Sequence, residues 1–328
     1  MNKHLYKVIF NQERGQMMVV PENATAQGQS STSTPSENPV AEPTHSFFSS
    51  GYLKPLTFSL MLMFGTAFIS ETVEAANIQA DKNVPKNEQP IVLQTPNGLP
   101  QVNIQTPSKA GVSVNQYRQF DVDEKGAILN NSRTNTQTQQ AGWIQGNPLL
   151  ATGEAKIIVN QVNSQNPSLL NGYVEVGGKR AEVILANPAG IQVNGSGFIN
   201  AQSATLSTGQ TLIRSGQLDQ YAVHDGKISI KGKGLNAKDT DFTKIIGRYV
   251  EVDAPIAAND LTVIAGQNTV SADGKIQAAA KNTPKQKAVA IDTNELGGMY
   301  ANKITLISTE NNQSIDNKGQ VFANAGGV

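Results

Sequence analysis

The 328-residue chain contains no cysteine, which excludes disulfide staples, thiolate metal sites and cysteine nucleophiles, so packing alone must hold the fold. It also lacks an excess of charge: 26 basic residues balance 26 acidic ones. Without a basic surplus nothing draws the chain to nucleic acid or to an acidic membrane surface, and nucleic acid is not an expected partner. Aromatic residues are scarce at 5%, tryptophan occurs once, and charged residues make up 16%. That composition disfavours long amphipathic helices. What is plentiful is Gly, at 29 residues, together with Asn, Gln, Ser and Thr, a mixture that suits many short strands joined by turns.

Composition shifts abruptly along the first quarter. Gly28 to Pro43 is almost entirely Ser, Thr, Gln, Pro, Glu and small residues, too poor in apolar surface to offset the entropy of ordering. Lys54, the apolar run Leu56 to Ile69 and the exit Val73-Glu74-Ala75 then follow the layout of a secretory signal peptide. The run is short for a membrane span of about 20 residues; an uncleaved anchor and a buried core helix are the competing readings. Expected, therefore, are a disordered leader and signal helix within residues 1–75, cleavage after Ala75, a linker at 76–100 and one domain at 101–328.

From about Gly126 the chain repeats a turn residue, a short β-rich run and another turn residue. Ala155-Lys156-Ile157-Ile158-Val159-Asn160, Gly172-Tyr173-Val174-Glu175-Val176-Gly177 and Gly226-Lys227-Ile228-Ser229-Ile230 are examples. Ala258, Ala278, Ala301 and Ala323 sit in similar settings at separations of 20, 23 and 22 residues. A second phrase accompanies three such turns: Ala201 to Thr205-Leu206, Ala258 to Thr262-Val263, and Ala301 to Thr305-Leu306. Short strands repeating at this period predict a solenoid. A leucine-rich repeat would show a Leu frame that is missing, and a sandwich would not keep the period. The expected fold is all-β, a right-handed parallel β-helix with an N-terminal cap and small extra-helical β elements. Its narrow interior suits Ile, Val, Leu and Ala, with Asn130-Asn131, Asn187, Asn194 and Asn200 as laddering turn residues. Trp143 is expected to be a buried cap residue, a sugar-stacking platform being the alternative.

Several phrases then carry a family resemblance. Gly111-Val112-Ser113-Val114-Asn115-Gln116-Tyr117 with Phe120-Asp121-Val122, followed by Asn130-Asn131-Ser132, resembles the opening of the secretion domain of two-partner secretion exoproteins, the filamentous haemagglutinin, haemolysin and contact-dependent inhibition group. Asn147-Pro148-Leu149-Leu150 is similar to that family's N-P-N-L motif, and Asn187-Pro188-Ala189-Gly190-Ile191 to its N-P-N-G-I motif, with Leu149 and Ala189 where the family has Asn. Pro167-Ser168-Leu169-Leu170-Asn171-Gly172 resembles the segment between them. The start Met1 to Asn11, with Arg14-Gly15 and Val19-Val20, resembles the extended signal peptide region of large exported proteins of Gram-negative bacteria.

The resemblance implies a secreted, non-enzymatic passenger without cofactor or metal. It would cross the inner membrane through the Sec translocon and bind the periplasmic POTRA domains of a TpsB-type outer-membrane transporter. It would then pass out unfolded and fold at the cell surface, with an adhesin or haemagglutinin-like role in adhesion and virulence through a host-cell or glycan receptor. Strand addition near Pro90 to Gln105 is an expected mode of recognition. In both Asn-Pro motifs the Pro pre-sets a turn and the Asn accepts a backbone hydrogen bond, while Gly190 supplies a conformation closed to other residues and Ile191 re-enters the core. These turns serve folding, transporter contact, or both. Lys227, Lys231 and Lys233 form a small basic stretch open to sulfated glycans or to solvent.

Two alternatives stand beside this reading. A secreted polysaccharide-degrading β-helix enzyme would need paired carboxylates or a calcium site. Asp121 with Asp123 and Glu124, and Asp239 with Asp241, are the candidates, read first as solvated turn residues; His224, the one His expected to survive processing, is a single candidate with no visible partner. The other alternative is a truncated export domain without an active payload, since the length is roughly that of a secretion domain itself.

Overall fold

A computed structural model of the chain describes residues 6–11, 16–21, 77–278 and 288–327. The cleavage site at Ala75, the apolar run 56–69 and the polar stretch 28–43 lie outside the described residues. The chain divides into two units, residues 1–69 and 70–328. In the first, Tyr6–Asn11 pairs antiparallel with Gln16–Pro21. Both runs are rich in strand-forming residues, and the short link between them, which contains Gly15, has the length of a hairpin turn.

In the second unit successive coils lay their strands on three parallel faces. The first face stacks Val112–Phe120, Ile157–Val162, Ala181–Ala186, Ala201–Ser207, Thr243–Gly247, Asp260–Ala265 and the later part of Gly298–Ser308. The second stacks Ala127–Asn131, Tyr173–Gly178, Ser196–Ile199, Leu235–Ala237, Pro255–Ala258 and the start of Gly298–Ser308. Ser168–Leu170, Ile191–Val193, Lys227–Ile230, Tyr249–Val252, Val289–Thr293 and Ser314–Asn317 make the third. This is a parallel β-helix.

Register puts inward side chains in columns. Ser113, Ile158, Val183, Ala204, Thr243, Leu261 and Ile304 form one, and Asn115, Asn160, Leu185, Leu206, Ile245, Val263 and Leu306 its neighbour. Coils about 4.8 Å apart leave room only for such small or aliphatic side chains. Burying each large aliphatic one contributes about 1.5–3 kcal/mol.

Coil length is uneven, because the column positions 158, 183, 204, 243, 261 and 304 are not equally spaced. The constant period expected from the four alanines is therefore corrected. Ala237 stacks on Ala258, Ala257 pairs with Tyr300, and Ala301 stacks on Ala323, but Ala278 pairs with Asn268 in an antiparallel hairpin outside the helix. A coil can bulge at a corner without disturbing its columns, so spacing along the chain need not follow stacking.

The bulges have a role. Gln210–Arg214, Gln217–Val223, Asn268–Ser271 and Ile276–Ala278 form an antiparallel outer sheet. Its Tyr221, Val223 and Val270 pack on an apolar stripe of the first face that includes Val112, Val159, Ile184, Ile246 and Ile264. At the hairpin tip the Ser108 hydroxyl donates to the Gly216 carbonyl at 2.6 Å, joining residues 108 positions apart.

Of the linker expected at 76–100, the described residues 77–100 are built into the fold. Ile78–Ala80 pairs antiparallel with Val112–Phe120, and Ile91–Gln94 pairs antiparallel with Pro100–Asn103, which continues the second face. Ile78 and Leu99 are buried, and Val92 packs on the core. The reason is that the first coil has no preceding coil, so its open end must be closed by other backbone and apolar groups.

Candidate functional site

The two Asn-Pro turns are built alike. In each, the Asn is buried, the Pro exposed, the third residue half-buried and the fourth buried. Asn147 Oδ1 accepts from the Leu149 N–H at 3.0 Å, and its Nδ2 donates to the carbonyls of Ile104 at 2.9 Å and Asn130 at 3.1 Å. Asn187 Oδ1 accepts from the Ala189 N–H at 2.9 Å, and its Nδ2 donates to the Asn166 carbonyl and Ser168 Oγ, both at 3.0 Å. The fourth residue closes each turn: Leu150 N–H to Asn147 O, and Gly190 N–H to Asn187 O. The first Asn thus caps the turn and ties it to a neighbouring segment, so the missing third-position Asn leaves the cap intact. Gly190 has φ +122°, and a Cβ there would lie 2.9 Å from the Lys227 carbonyl, so no larger residue fits without a shift. Ile191 is buried in the core, stacked between Ser168 and Ile228.

The opening-motif residues gather at the capped end. Ser113, Asn115, Tyr117, Phe120, Asn130 and Asn131 are all buried. Ser113 Oγ donates to the Gln105 carbonyl at 2.7 Å, and Asn115 Oδ1 accepts from the Gln105 N–H at 2.8 Å. Tyr117 donates its hydroxyl to Asn160 Oδ1 at 2.9 Å and meets Phe120 edge-on at 4.9 Å. Burial pushes the Tyr117 hydroxyl well above its ordinary pKa, which keeps it a neutral donor. Asn130 donates to Asn103 Oδ1 and the Gln145 carbonyl. Asn131 exchanges bonds with Ala155 and donates to the Lys179 carbonyl. These two sit within a strand, not a turn, and Asn131, Asn187 and Asn200 bridge to backbone instead of stacking as an amide ladder. No hydrogen bond joins the two Asn-Pro turns among the described residues.

Other expectations are placed differently. Trp143 is 69% exposed, not buried, because it lies on the outward side of the hairpin Thr136–Thr138/Gly142–Ile144, whose inward residues Thr138 and Ile144 take the buried positions. Lys227 is paired with Glu251 at 2.7 Å and Lys233 with Glu124 at 3.8 Å, which divides the basic stretch into separate ion pairs. Asp121 Oδ1 accepts from the Leu169 N–H, Asp123 Oδ1 from the Lys125 N–H, and Asp241 pairs with Arg180. Each of these carboxylates serves a turn or a bridge. Among the described residues no cluster of three or more His, Asp or Glu could hold a metal ion, and no helix is long and apolar enough to cross a membrane.

Three groups escaped sequence reasoning. Asn160 continues the inward column below Asn115. Glu175, buried, accepts the N–H groups of Gln139 and Gln140 at 2.6 and 2.9 Å and fixes the Trp143 hairpin. Arg248 and Glu310 form a buried ion pair, Nε to Oε1 at 3.0 Å, with side chains 5% and 2% exposed. For Asn160 the available signal was a polar residue at an inward position; Glu175 lies between inward Val174 and Val176 on the outer side of its strand, where a polar residue is ordinary and gave no signal that the hairpin covers it. Arg248 and Glu310 lie 62 residues apart, and no local pattern joins them.

A capped parallel β-helix whose motif residues are folded into its own first coils, preceded by a signal-type leader, defines a β-helical export domain. The chain belongs to the TPS secretion domain family, which matches residues 76–328, and residues 1–48 match the extended signal peptide of the type V secretion system. The chain is 50% identical over 329 aligned residues to "Toxin CdiA" of Yersinia pestis, which covers 100% of this chain and 10% of that protein. To "tRNA nuclease CdiA-2" of Burkholderia pseudomallei (strain 1026b) it is 40% identical, covering 99% of this chain and 10% of that protein. It thus spans about a tenth of the length of these relatives. The crystal structure of the filamentous hemagglutinin secretion domain superposes with a TM-score of 0.69 at 31% identity, over 75% of this chain and 83% of that one. The chain is the N-terminal region of a two-partner secretion exoprotein, directed through the periplasm to the cell surface or beyond.

Proposed function

We propose that this region is a non-catalytic export module. It leaves the inner membrane through the Sec translocon, is recognised by the POTRA domains of a TpsB-type transporter, crosses the outer membrane unfolded and folds outside. There it serves adhesive contact. The observation that carries this reading is the burial of all six opening-motif residues and both motif asparagines. Side chains that are hidden once folded are accessible to a partner only before folding, and in the finished coil they act as its structural bonds. Recognition by strand addition fits Ile91–Gln94, whose run Ile91-Val92-Leu93 an unfolded chain can offer as an extended strand to a sheet edge.

Deleting Asn147 to Leu150 tests this reading. The protein should accumulate in the periplasm, and normal surface export of the deletion would refute the assignment. Pro148→Ala separates two mechanisms. If the turn serves folding alone, Pro148→Ala, at a ring exposed in the folded turn, lowers export little while Asn147→Ala, which removes three hydrogen bonds, lowers it strongly; if the transporter reads the unfolded segment, where both side chains are accessible, both substitutions lower it.

A further inference from the structure

We propose that the hairpin Thr136–Thr138/Gly142–Ile144 is a carbohydrate-binding platform on which Trp143 stacks a neutral pyranose ring. The hairpin is anchored firmly to the helix on its inner side. Thr138 and Ile144 are buried, the Glu175 carboxylate holds the N–H groups of Gln139 and Gln140, and Asn130 Nδ2 donates to the Gln145 carbonyl at 2.9 Å. A buried carboxylate spent on two backbone donors makes a rigid support, since such charge-assisted bonds are stronger than neutral ones.

What that support displays is the sole tryptophan of the chain. An indole facing water forgoes the large stabilisation that burial would give it. Gln137 stands directly across from it in register, and Asn135, Gln139 and Gln145 follow at the adjoining exposed positions. None of these four carries charge. Each carboxamide offers both donor and acceptor, the complement of vicinal hydroxyls.

Area decides between a sugar and a protein as occupant. An indole 69% exposed offers roughly 150 Å² of apolar surface, against the about 800 Å² that each partner contributes to a stable protein interface. Ile144, the other large apolar residue of the hairpin, faces inward and adds nothing. One flat ring rimmed by amides matches one sugar face, and the absence of charged groups at those four positions selects a neutral sugar.

Because Trp143 is unique, its fluorescence reads this site alone. Titrating the full chain at millimolar concentrations of neutral oligosaccharides, built from glucose, galactose, mannose or N-acetylglucosamine, should give a saturable change in emission with at least one series. In affinity electrophoresis through that glycan, Trp143→Ala should lose about tenfold in affinity, the scale of removing an aromatic stacking surface. Trp143→Phe should keep most of the binding, and Gln137→Ala should weaken it, with circular dichroism showing each variant folded. No saturable change with any series, or binding that survives Trp143→Ala, would overturn the proposal. So would an emission change produced only by the transporter's soluble periplasmic domains, which would make the hairpin a protein contact.

Discussion

Replacing Asn147 by alanine is the most searching test of how the first coils are held. The side chain makes three hydrogen bonds, to the Leu149 N–H and to the carbonyls of Ile104 and Asn130, and is nearly inaccessible to water. Truncation strands one donor and two acceptors at a site that solvent reaches poorly. Net values of about 1 kcal/mol per bond, raised where a buried group is left unpaired, put the cost at about 2–4 kcal/mol. Urea unfolding followed by far-ultraviolet circular dichroism measures it. Hydrogen exchange in Ala127–Asn131 shows whether the loss is confined to the capped end, since coils of a solenoid can open separately. Pro148→Ala in the same turn touches an exposed ring and should cost no more than about 1 kcal/mol. If Asn147→Ala stays within about 0.5 kcal/mol of the parent, the range of ordinary surface changes, the turn is not held in the way described.

Glu310→Ala removes the counter-charge of the buried Arg248 guanidinium and the acceptor of the Gln267 N–H and should cost about 3–5 kcal/mol, whereas Arg248→Met with Glu310→Leu, which buries no charge, should recover part of it in the same urea assay. Gly172→Ala places a Cβ 2.0 Å from the Asp123 carbonyl, so about 1–3 kcal/mol should be lost to displaced backbone, visible as a lower melting temperature. Burial raises the Glu182 carboxyl above its ordinary value of 4.5, with Lys244 opposing. The folded state therefore holds that proton more tightly than the unfolded one. The contribution to stability is full below pH 4.5 and is lost as pH rises through the elevated value. Glu182→Gln should accordingly stabilise near neutral pH but not at acid pH, and a difference in unfolding free energy that is flat between pH 3 and pH 8 would contradict this.

Strand identity, parallel stacking and the aliphatic interior were legible because each rests on local pattern. Ile157 to Val162 is rich in β-branched residues and is followed by the polar stretch Asn163-Ser164-Gln165-Asn166-Pro167, and Ile191 follows a Gly with positive φ. The Asn-Pro turns were legible as turns for the same reason. Their tethers were not, since Asn147 reaches Ile104 across 43 residues and no spacing rule predicts such a partner. Ala278 misled because an insertion of nearly coil length copied the repeat by coincidence. Residues 77–100 looked like a linker because, outside the short run Ile91-Val92-Leu93, they are mostly polar, yet Ile78 is buried opposite Phe120 and Leu99 is buried as well. Trp143 was misplaced by the general rule that large aromatics are buried, a rule that carries no information about which side of a hairpin faces inward.

The hairpin clasp between Gly216 and Ser108 bears on the direction of movement. Coils added one after another could be peeled off in reverse order, each giving back only its own interface. Once residues 210–223 fold back over the outer stripe of the early coils, strands from Val112 to Val223 become one closed loop that cannot be drawn out end first without tearing apart a second apolar core. If the chain is exported unfolded, as proposed, that step would work as a pawl: slippage would be cheap before it closes and costly afterwards.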